Sequence, residues 1–515
     1  MARLHEHQGK GLLKQFKISI PRGGPAKSAQ EAKSIASDIE GPVVIKAQIW
    51  STGRAALGGI DFADTPEIAA GITAKFLDSG IAEFKMDTVL VEEKLEIERE
   101  FFASLIIDDH SKAPLVVFSS VGGSGIEEIA QENPEAVQKY VIDIRTGLQD
   151  FEARNLVRRS GIQGKTQLRL GEILVKLYQL SRSLDARSVE INPLALTCDG
   201  KIVALDCRIT IDDYAIYRQP DLAIEVAREF DRPPSELETI AWNVEKNDYR
   251  GTFYFIQMEE KYSKGDGIIG FHGAGGGGSM MSMDAVMSKG YKIANFVDTS
   301  GNPPASKVYR AAKIILSQLE IDGYFASGSG VASQEQFHSA RGLAKAFMEG
   351  PLGIPAVIRL GGNAEDLAIE ILNKAQDFIP AIIEAYGKDD SPEYCAERLD
   401  ALIKSENSSN DIITAFTHSP AAKPYSFRTV TQGQITFDHS LCLGCESKIC
   451  IDTCVPGILK ISDEVPVLTI SEEEAAKGKC IECLACEIEC WFGGNRGGQI
   501  KLPIPGLEEY QAHQS

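Results

Sequence analysis

The chain has 515 residues, enough for about three domains of ordinary size. Its 53 lysines and arginines against 73 aspartates and glutamates leave a net charge of −20, which argues against a surface built to bind nucleic acid or anionic lipid. Hydrophobic residues at 43% and charged residues at 24% describe a folded globular chain. No run approaches a membrane span, and the opening MARLHEHQGKGLLK has no apolar signal core, so a cytoplasmic protein with no nucleic-acid or membrane partner is expected.

Up to about Ser235, short β-rich runs alternate with helical stretches. PVVIKAQI (42–49), TVLVEE (88–93), APLVVFSS (113–120), SVEINPLAL (188–196) and KIVALDCRITI (201–211) read as strands. QEAKSIASDI, PEIAAGITAKFLDSG and LGEILVKLYQLSRSL carry apolar residues at three- and four-residue spacing and read as amphipathic helices. A second α/β unit runs over 236–388, with strands at GIIGFHG, KIANFVD, DGYFASGSG and AVIRLGG separated by helices. That alternation predicts a parallel sheet covered by helices. Residues 389–429 have the composition of a linker with one helix, and 430–515 form a separate cysteine-rich region.

Eight of the eleven cysteines lie between Cys442 and Cys490. The first run is Cys442-x2-Cys445-x4-Cys450-x3-Cys454; the second is Cys480-x2-Cys483-x2-Cys486-x3-Cys490. Clustered in the tail of an intracellular chain, they suggest metal and not a disulfide scaffold. The tail resembles a bacterial-type ferredoxin, in which the fourth cysteine of each run ligates the other cluster. The resemblance implies Cys442, Cys445, Cys450 and Cys490 on one [4Fe–4S] cluster, and Cys480, Cys483, Cys486 and Cys454 on a second. The first run departs from the pattern by its x4 spacing and by a proline one residue late, at Pro456, and structural zinc is the competing reading. The wide first spacing and the GGNRGG after the last cysteine are also similar to ferredoxin-like modules that partner electron-transfer flavoproteins. Cys198, Cys207 and Cys395 are isolated and read as packing residues.

The first half carries LHEHQGK (4–10), VVIKAQIWSTGRAALGG (43–59), VLVEEKLEIEREFF (89–102) and VEINPLALTCDGKIVALD (189–206). In this order and spacing they resemble the β subunit of succinyl-CoA synthetase and the wider NDP-forming acyl-CoA ligases, an ATP-grasp family. The resemblance extends to about residue 388. It implies an α/β chain with an ATP-grasp domain over 1–235, a flavodoxin-like parallel domain over 236–388, and then a small α+β ferredoxin-like domain that the family's β subunit normally lacks.

It also implies roles. Lys46, at a strand end, together with Gly53, Arg54 and Ala55 in a turn, would meet the phosphates of ATP or GTP. Glu92 and Glu100 would contact purine and ribose, and Leu95 would do so through its backbone; a solvated acidic face is the other reading of EEKLEIERE. Asn192 and Asp206 are oxygen donors suited to Mg²⁺. Glu190, two residues before Asn192 and so on the same strand face, matches the family glutamate that steadies a phosphohistidine. The family turn GGRGKAGG is here STGRAALGG, so Ala55 replaces a glycine and Ala56 a lysine.

FHGAGGGGSMM joins a strand to a helix, where backbone amides can cradle an anion. Gly273, Gly275 and Gly278 satisfy GxGxxG with Asp298 twenty residues on, but the flanking text matches the ligases better than a dinucleotide fold. There the resemblance implies a second phosphate and substrate site at His272, Gly273, Gly275, Gly330, Val331 and Ala332. His272 stands for a family asparagine and Ser329-Gly330-Val331 for Gly-Gly-Ile. A phosphorylated His272 and a plain turn histidine bonding a carbonyl both remain open.

The phosphohistidine and the CoA site belong in this family to an α-type partner, which the chain therefore needs. The expected function is an acid–thiol ligase β subunit, using Mg²⁺ and ATP or GTP, with two [4Fe–4S] clusters and a redox partner at the tail. The alternative is an electron-transfer subunit of an anaerobic oxidoreductase complex with the ATP-grasp body as scaffold.

Overall fold

The computed structural model describes residues 2–49, 53–81, 84–123, 134–222, 224, 234–248, 252–328, 330–405 and 416–514. The chain divides into two compact units, Met1–Pro233 and Pro234–Ser515. None of its helices among the described residues is long and apolar enough to cross a membrane.

The first unit holds strands β1 (Ala2–Arg3), β2 (Gly23–Ala26), β3 (Val43–Ala47), β4 (Ile60–Ala63), β5 (Val89–Glu93), β6 (Ile97–Asp108), β7 (Ala113–Ser119), β8 (Val137–Val141), β9 (Ala186–Thr197), β10 (Ile202–Ala204) and β11 (Cys207–Ile211). Its helices are α1 (Glu6–Gln15), α2 (Ala29–Ile39), α3 (Pro66–Ser79), α4 (Asp150–Arg159) and α5 (Gly164–Leu184). A four-stranded antiparallel sheet, ordered β2-β5-β3-β4, is backed by α2 and α3. Both helices start on side-chain caps: Ser28 accepts from the Glu31 amide, and Thr65 accepts from Ile68 with Pro66 in the first turn. The larger antiparallel sheet runs β1-β11-β9-β6-β7-β8, with β10 also on β9. The stretch 201–211, expected as one strand, is two. Both pieces pair with β9 on either side of Asn192–Pro193, and the break leaves Asp206 off the ladder. The charged run after β5 leads into the twelve-residue β6, whose Phe101 and Ala103 are buried.

The second unit centres on a six-stranded sheet built from β12 (Tyr254–Gln257), β13 (Ile268–Ala274), β14 (Lys292–Asp298), β15 (Gly323–Gly328), β16 (Ala356–Arg359) and β17 (Ile383–Tyr386). Its order is β12-β14-β13-β15-β16-β17, parallel except for β12. Helices α6 (Glu236–Lys246), α7 (Gly276–Met287), α8 (Ala305–Leu316), α9 (Phe337–Glu349), α10 (Glu365–Ala375) and α11 (Pro392–Lys404) accompany it. Strand alternation feeds two cores. Ile269, Phe271, Phe325 and Val357 pack with Val286 of α7 and Leu399 of α11, while Ile268, Tyr324 and Ile358 join Val308 of α8 and Leu343 of α9.

The cysteine-rich tail has a three-stranded antiparallel sheet of β18 (Pro424–Arg428), β19 (Gln434–Asp438) and β22 (Gly498–Lys501), and a hairpin of β20 (Leu459–Ser462) and β21 (Val465–Leu468). Short helices α12 (His439–Cys442), α13 (Ile449–Asp452), α14 (Glu472–Glu474), α15 (Ala485–Gly493) and α16 (Leu507–Gln514) complete it. It lies in the same compact unit as the parallel sheet. Phe437, Ile488 and Trp491 continue the α8–α9 core, and Trp491 meets Phe378 edge-on at 6.1 Å. Residues 389–429 are therefore more than a spacer, since they supply α11 and β18; 406–415 lie outside the described residues.

Helices α8 and α9 touch at Gly342, where an added Cβ would sit 2.5 Å from the Ala305 carbonyl oxygen and 2.8 Å from the Val308 Cβ. Alanine gains about 1 kcal/mol over glycine in a helix, but overpacking a tight contact costs about 1–3 kcal/mol. Gly342→Ala is expected to lower the urea-unfolding stability of this unit by roughly 1 kcal/mol, and equal or higher stability would show that the helices part freely.

Candidate functional site

In the first unit, the N-terminal part of α1, the end of β3, the Gly53 turn and β9 enclose a cleft of about 390 Å³. Gly53, Arg54, Ala55, Glu190, Asn192 and Asp206 line it. Asn192 and Gly123 exchange a reciprocal pair of bonds: Gly123 N–H donates to Oδ1 at 2.9 Å, and Nδ2 donates to the Gly123 carbonyl at 3.1 Å. Oδ1 keeps a second lone pair for another partner. Glu100 on β6 reaches the same corner, with Oε2 3.3 Å from where a Gly123 Cβ would stand. Gly53 has φ of +70°, a conformation glycine adopts without strain. Ser51 and Thr52 of the same turn lie outside the described residues.

The wall beside this cleft is a set of three carboxylates and three cations. Glu6 accepts from Lys46 Nζ at 2.8 Å through Oε1 and from Arg54 Nη2 at 2.6 Å through Oε2, and Lys10 is 2.8 Å away. Lys10 and Lys46 also meet Glu92 at 2.5 and 3.0 Å, and both donate to the Leu205 carbonyl. Arg54 reaches Asp206 at 2.9 Å. Burial pushes the Glu6 carboxyl up, but Lys46, Lys10 and Arg54 together hold it well below the usual range. Burial lowers and the carboxylates raise the Lys46 ammonium, which ends above its ordinary value. Asp206 moves the other way: desolvation and the nearby Glu6 outweigh Arg54 and raise it, although 37% of its side chain is exposed. His5, stacked on His7 at 5.8 Å, is pushed down to about 4 by burial and by His7, so it meets the cleft uncharged at neutral pH.

The Glu92 side chain is buried and ion-paired to Lys10 and Lys46. Lys46, at the end of β3, is buried beside the cleft and paired to Glu6 and Glu92. Leu95 follows β5, half-buried and outside the cleft lining. Sequence reasoning missed Glu6, Lys10 and Gln48, the last of which accepts from the His7 amide at 3.0 Å. The i,i+4 spacing of Glu6 and Lys10 was the available signal.

At the glycine-rich turn of the second unit, a Cβ on Gly273 would lie 2.5 Å from both Ser279 Oγ and the Val297 carbonyl. Asp298 Oδ1 accepts from the Gly275 and Ser300 amides, so backbone, not a ribose, is its partner. His272 is no turn histidine bonding a carbonyl: it lies within β13, 4% exposed, with Nδ1 2.6 Å from the Tyr324 hydroxyl, and burial pushes it down to about 3. Its Nδ1 is thereby tied to the neighbouring strand β15. Gly330 has φ of +75°, Val331 is 82% exposed, Ala332 bridges Gly362, and Ser329 lies outside the described residues. The unforeseen residue here is Arg359, which donates to the carbonyls of Gly328, Lys388 and Asp390 and supports the Gly330 turn from below.

The tail cysteines gather into two quartets, each around its own small void. Cys442, Cys445, Cys450 and Cys490 line one of about 10 Å³; Cys454, Cys480, Cys483 and Cys486 line one of about 20 Å³. A Cβ on Gly497 would stand 2.9 Å from Cys442 Sγ, and one on Gly494 would stand 3.2 Å from Cys490 Sγ, so two glycines of GGNRGG make room for sulfur. Amides of Arg496, Gly497 and Gly498 point at Cys490, and those of Gly457, Ile458 and Leu459 at Cys454. Burial pushes the Cys442, Cys450 and Cys480 thiols up to about 12. Among the described residues, no three His, Cys, Asp or Glu side chains gather tightly enough to hold a single metal ion.

Removing the Glu6 charge would leave Lys10, Lys46 and Arg54 facing one another with too few anions. Breaking a buried pair costs about 3–5 kcal/mol. Glu6→Gln is therefore expected to lower the urea-unfolding stability of the first unit by roughly 3 kcal/mol, and a loss under about 1 kcal/mol would remove Glu6 from its central place.

Residues 3–196 match the model of the ATP-grasp domain. The β subunit of the GDP-forming succinate–CoA ligase of Thermus thermophilus is 38% identical over 383 residues, which cover 74% of this chain and 96% of that one. The ADP-forming β subunit of Chloroflexus aurantiacus is 35% identical over 387 residues, covering 75% and 97%. About a quarter of this chain lies outside each alignment. Among solved structures, the ATP citrate lyase of Methanothrix soehngenii shares the fold at a TM-score of 0.61 and 16% identity, over 78% of this chain and 99% of that one. With an ATP-grasp domain at its start and these relatives matched over nearly their full length, the chain belongs to the family of succinate–CoA ligase β subunits.

Proposed function

We propose that the chain is the nucleotide-binding β subunit of an NDP-forming ligase that converts a small carboxylic acid, CoA and ATP or GTP to acyl-CoA, ADP or GDP, and phosphate. The observation that carries this reading is the cleft in which Arg54, Asn192, Asp206 and Glu190 converge beside the Gly53 turn. Asn192 and Asp206 supply the oxygen donors a hard Mg²⁺ needs, and the free lone pair of Asn192 Oδ1 and the part-exposed Asp206 fit it. When bound, Mg²⁺ neutralises phosphate charge. Arg54 faces the cleft from the glycine turn and orients the phosphates, while Lys46 behind it adds positive field. Glu100 marks the ribose side. Glu190 faces the cleft from β9 and steadies a phosphohistidine delivered by an α-type partner subunit, which also brings the CoA site. Gly273, Gly275 and the Gly330–Ala332 turn receive the acyl phosphate at the second site.

The tail is read as a ferredoxin-type domain holding two [4Fe–4S] clusters, on the quartets named above. The support is the partition of eight sulfurs into two voids lined by the sets that ferredoxin spacing pairs, each bordered by backbone amides aimed at sulfur. When bound, the clusters supply one-electron transfer.

Anoxic calorimetry of the chain with Mg·ATP and Mg·GTP tests the first reading. Binding in the micromolar range, weakened at least about tenfold in Asp206→Ala, is expected. A folded chain that binds neither nucleotide would overturn it in favour of the electron-transfer subunit. For the tail, anoxically purified protein should carry about eight irons and eight sulfides, falling to about half in Cys486→Ser. Zinc without sulfide sinks the cluster assignment.

A further inference from the structure

The second cysteine run carries three glutamates among its four cysteines, Glu482, Glu487 and Glu489, and all three are buried. Each meets a buried cation on a helix of the parallel-sheet core. Glu487 accepts from Lys345 Nζ at 2.6 Å, and both side chains are fully buried. Glu489 accepts from Arg341 at 2.8 and 3.1 Å. Glu482 lies 3.8 Å from Arg310 and shares Thr431 with it, since that hydroxyl bonds both side chains. Lys345 and Arg341 belong to α9 and Arg310 to α8. Glu487 is also bonded by the Ile500 amide and His418 Nε2.

A solvated acidic face would not explain this arrangement, because all three glutamates are buried. We propose that the second cysteine run is a clamp on helices α8 and α9, so that assembly of its iron–sulfur cluster and the ordering of the ligase core are one event. The cluster dependence rests on the iron–sulfur reading above. The physical basis is the cost of burying cations without partners. Lys345 keeps Glu349 at 2.6 Å, but Arg341 has no second carboxylate among its described contacts. A short segment rich in loops holds its shape through its metal group, because binding free energy there is folding free energy. When the cluster is lost, the segment carrying the three glutamates loses order and withdraws their carboxylates from Arg310, Arg341 and Lys345.

The effect reaches the glycine-rich turn by contact. Phe347 of α9 packs edge-on against Tyr324 at 5.0 Å, and the Tyr324 hydroxyl holds His272, the residue before Gly273. The tail is thereby a structural member of the acyl-phosphate half, in addition to any part it plays as an electron carrier.

Amide hydrogen exchange read by mass spectrometry, on the full chain prepared without oxygen, tests this. Iron and sulfide are measured before and after stripping with ferricyanide and chelator. Stripping is expected to speed exchange in peptides of α8 and α9 by at least about tenfold, with a smaller rise over β13, while α2 and α3 of the first unit stay within about twofold. Protected α8 and α9 after complete iron loss overturn the cluster dependence. Glu487→Gln tests the clamp independently, because Glu487 is not a cluster ligand. It should retain iron yet expose α9, and Lys345→Met with Glu487→Leu should restore protection. Unchanged α9 exchange in iron-replete Glu487→Gln overturns the clamp. A chain that never binds iron sinks the iron–sulfur reading and the cluster dependence with it, and the charge variants then decide the clamp alone.

Discussion

A buried charge must find an opposite charge, and both units of this protein are organised around meeting that demand. In the first, Glu6 on α1 joins Lys46 of β3 to Arg54 of the glycine turn, with Lys10 and Glu92 closing the set. These residues come from an N-terminal helix, two strands of the small sheet and a loop, so the ion pairs fix the wall of the cleft across elements far apart in sequence. Three anions against three cations leave the wall near neutrality in an otherwise acidic chain. The cleft can then present Arg54 to phosphate without collecting repulsive charge behind it.

That arrangement also sets what a nucleotide has to do. Arg54 is engaged with Glu6 and Asp206, so phosphate oxygens must compete with carboxylates already in place. Ala56 stands where the related turn carries a lysine, so the competition falls on fewer cations. On the proposed reading, a divalent ion at Asp206 would compete with Arg54 for that carboxylate, while Glu6 goes on holding the guanidinium.

The sequence disclosed these features unevenly, and the reasons are physical. The two cysteine quartets were anticipated through the resemblance to ferredoxins, in which the fourth cysteine of each run joins the other set. The parallel sheet over 268–386 was legible because strands buried on both faces read as continuous apolar runs, as in AVIR and GYFASG. The strand Ile97–Asp108 was hidden by its charged, half-exposed first residues, and the break at Leu205–Asp206 by the β-rich residues on both sides of it. Glu92 looked like a surface or ligand-facing acid because its partner Lys10 is 82 residues away. No local pattern records a pairing of that kind. The same blindness hid the glutamates of the second cysteine run, whose partners on α8 and α9 precede them by more than 140 residues.

The placement of those glutamates bears on why the tail is fused to this body at all. An electron carrier needs only a surface from which electrons leave, and a tether would serve it. Here Trp491, one residue past the last cysteine, packs against Phe378 and Phe416, and Ile488 sits inside the core shared with α8 and α9. Apolar packing of this kind stabilises without specifying register, whereas three charge pairs at fixed positions penalise any shifted docking. The cysteine-bearing helix α15 is thus held at one position on the ligase core, and the two cysteine quartets are held there with it.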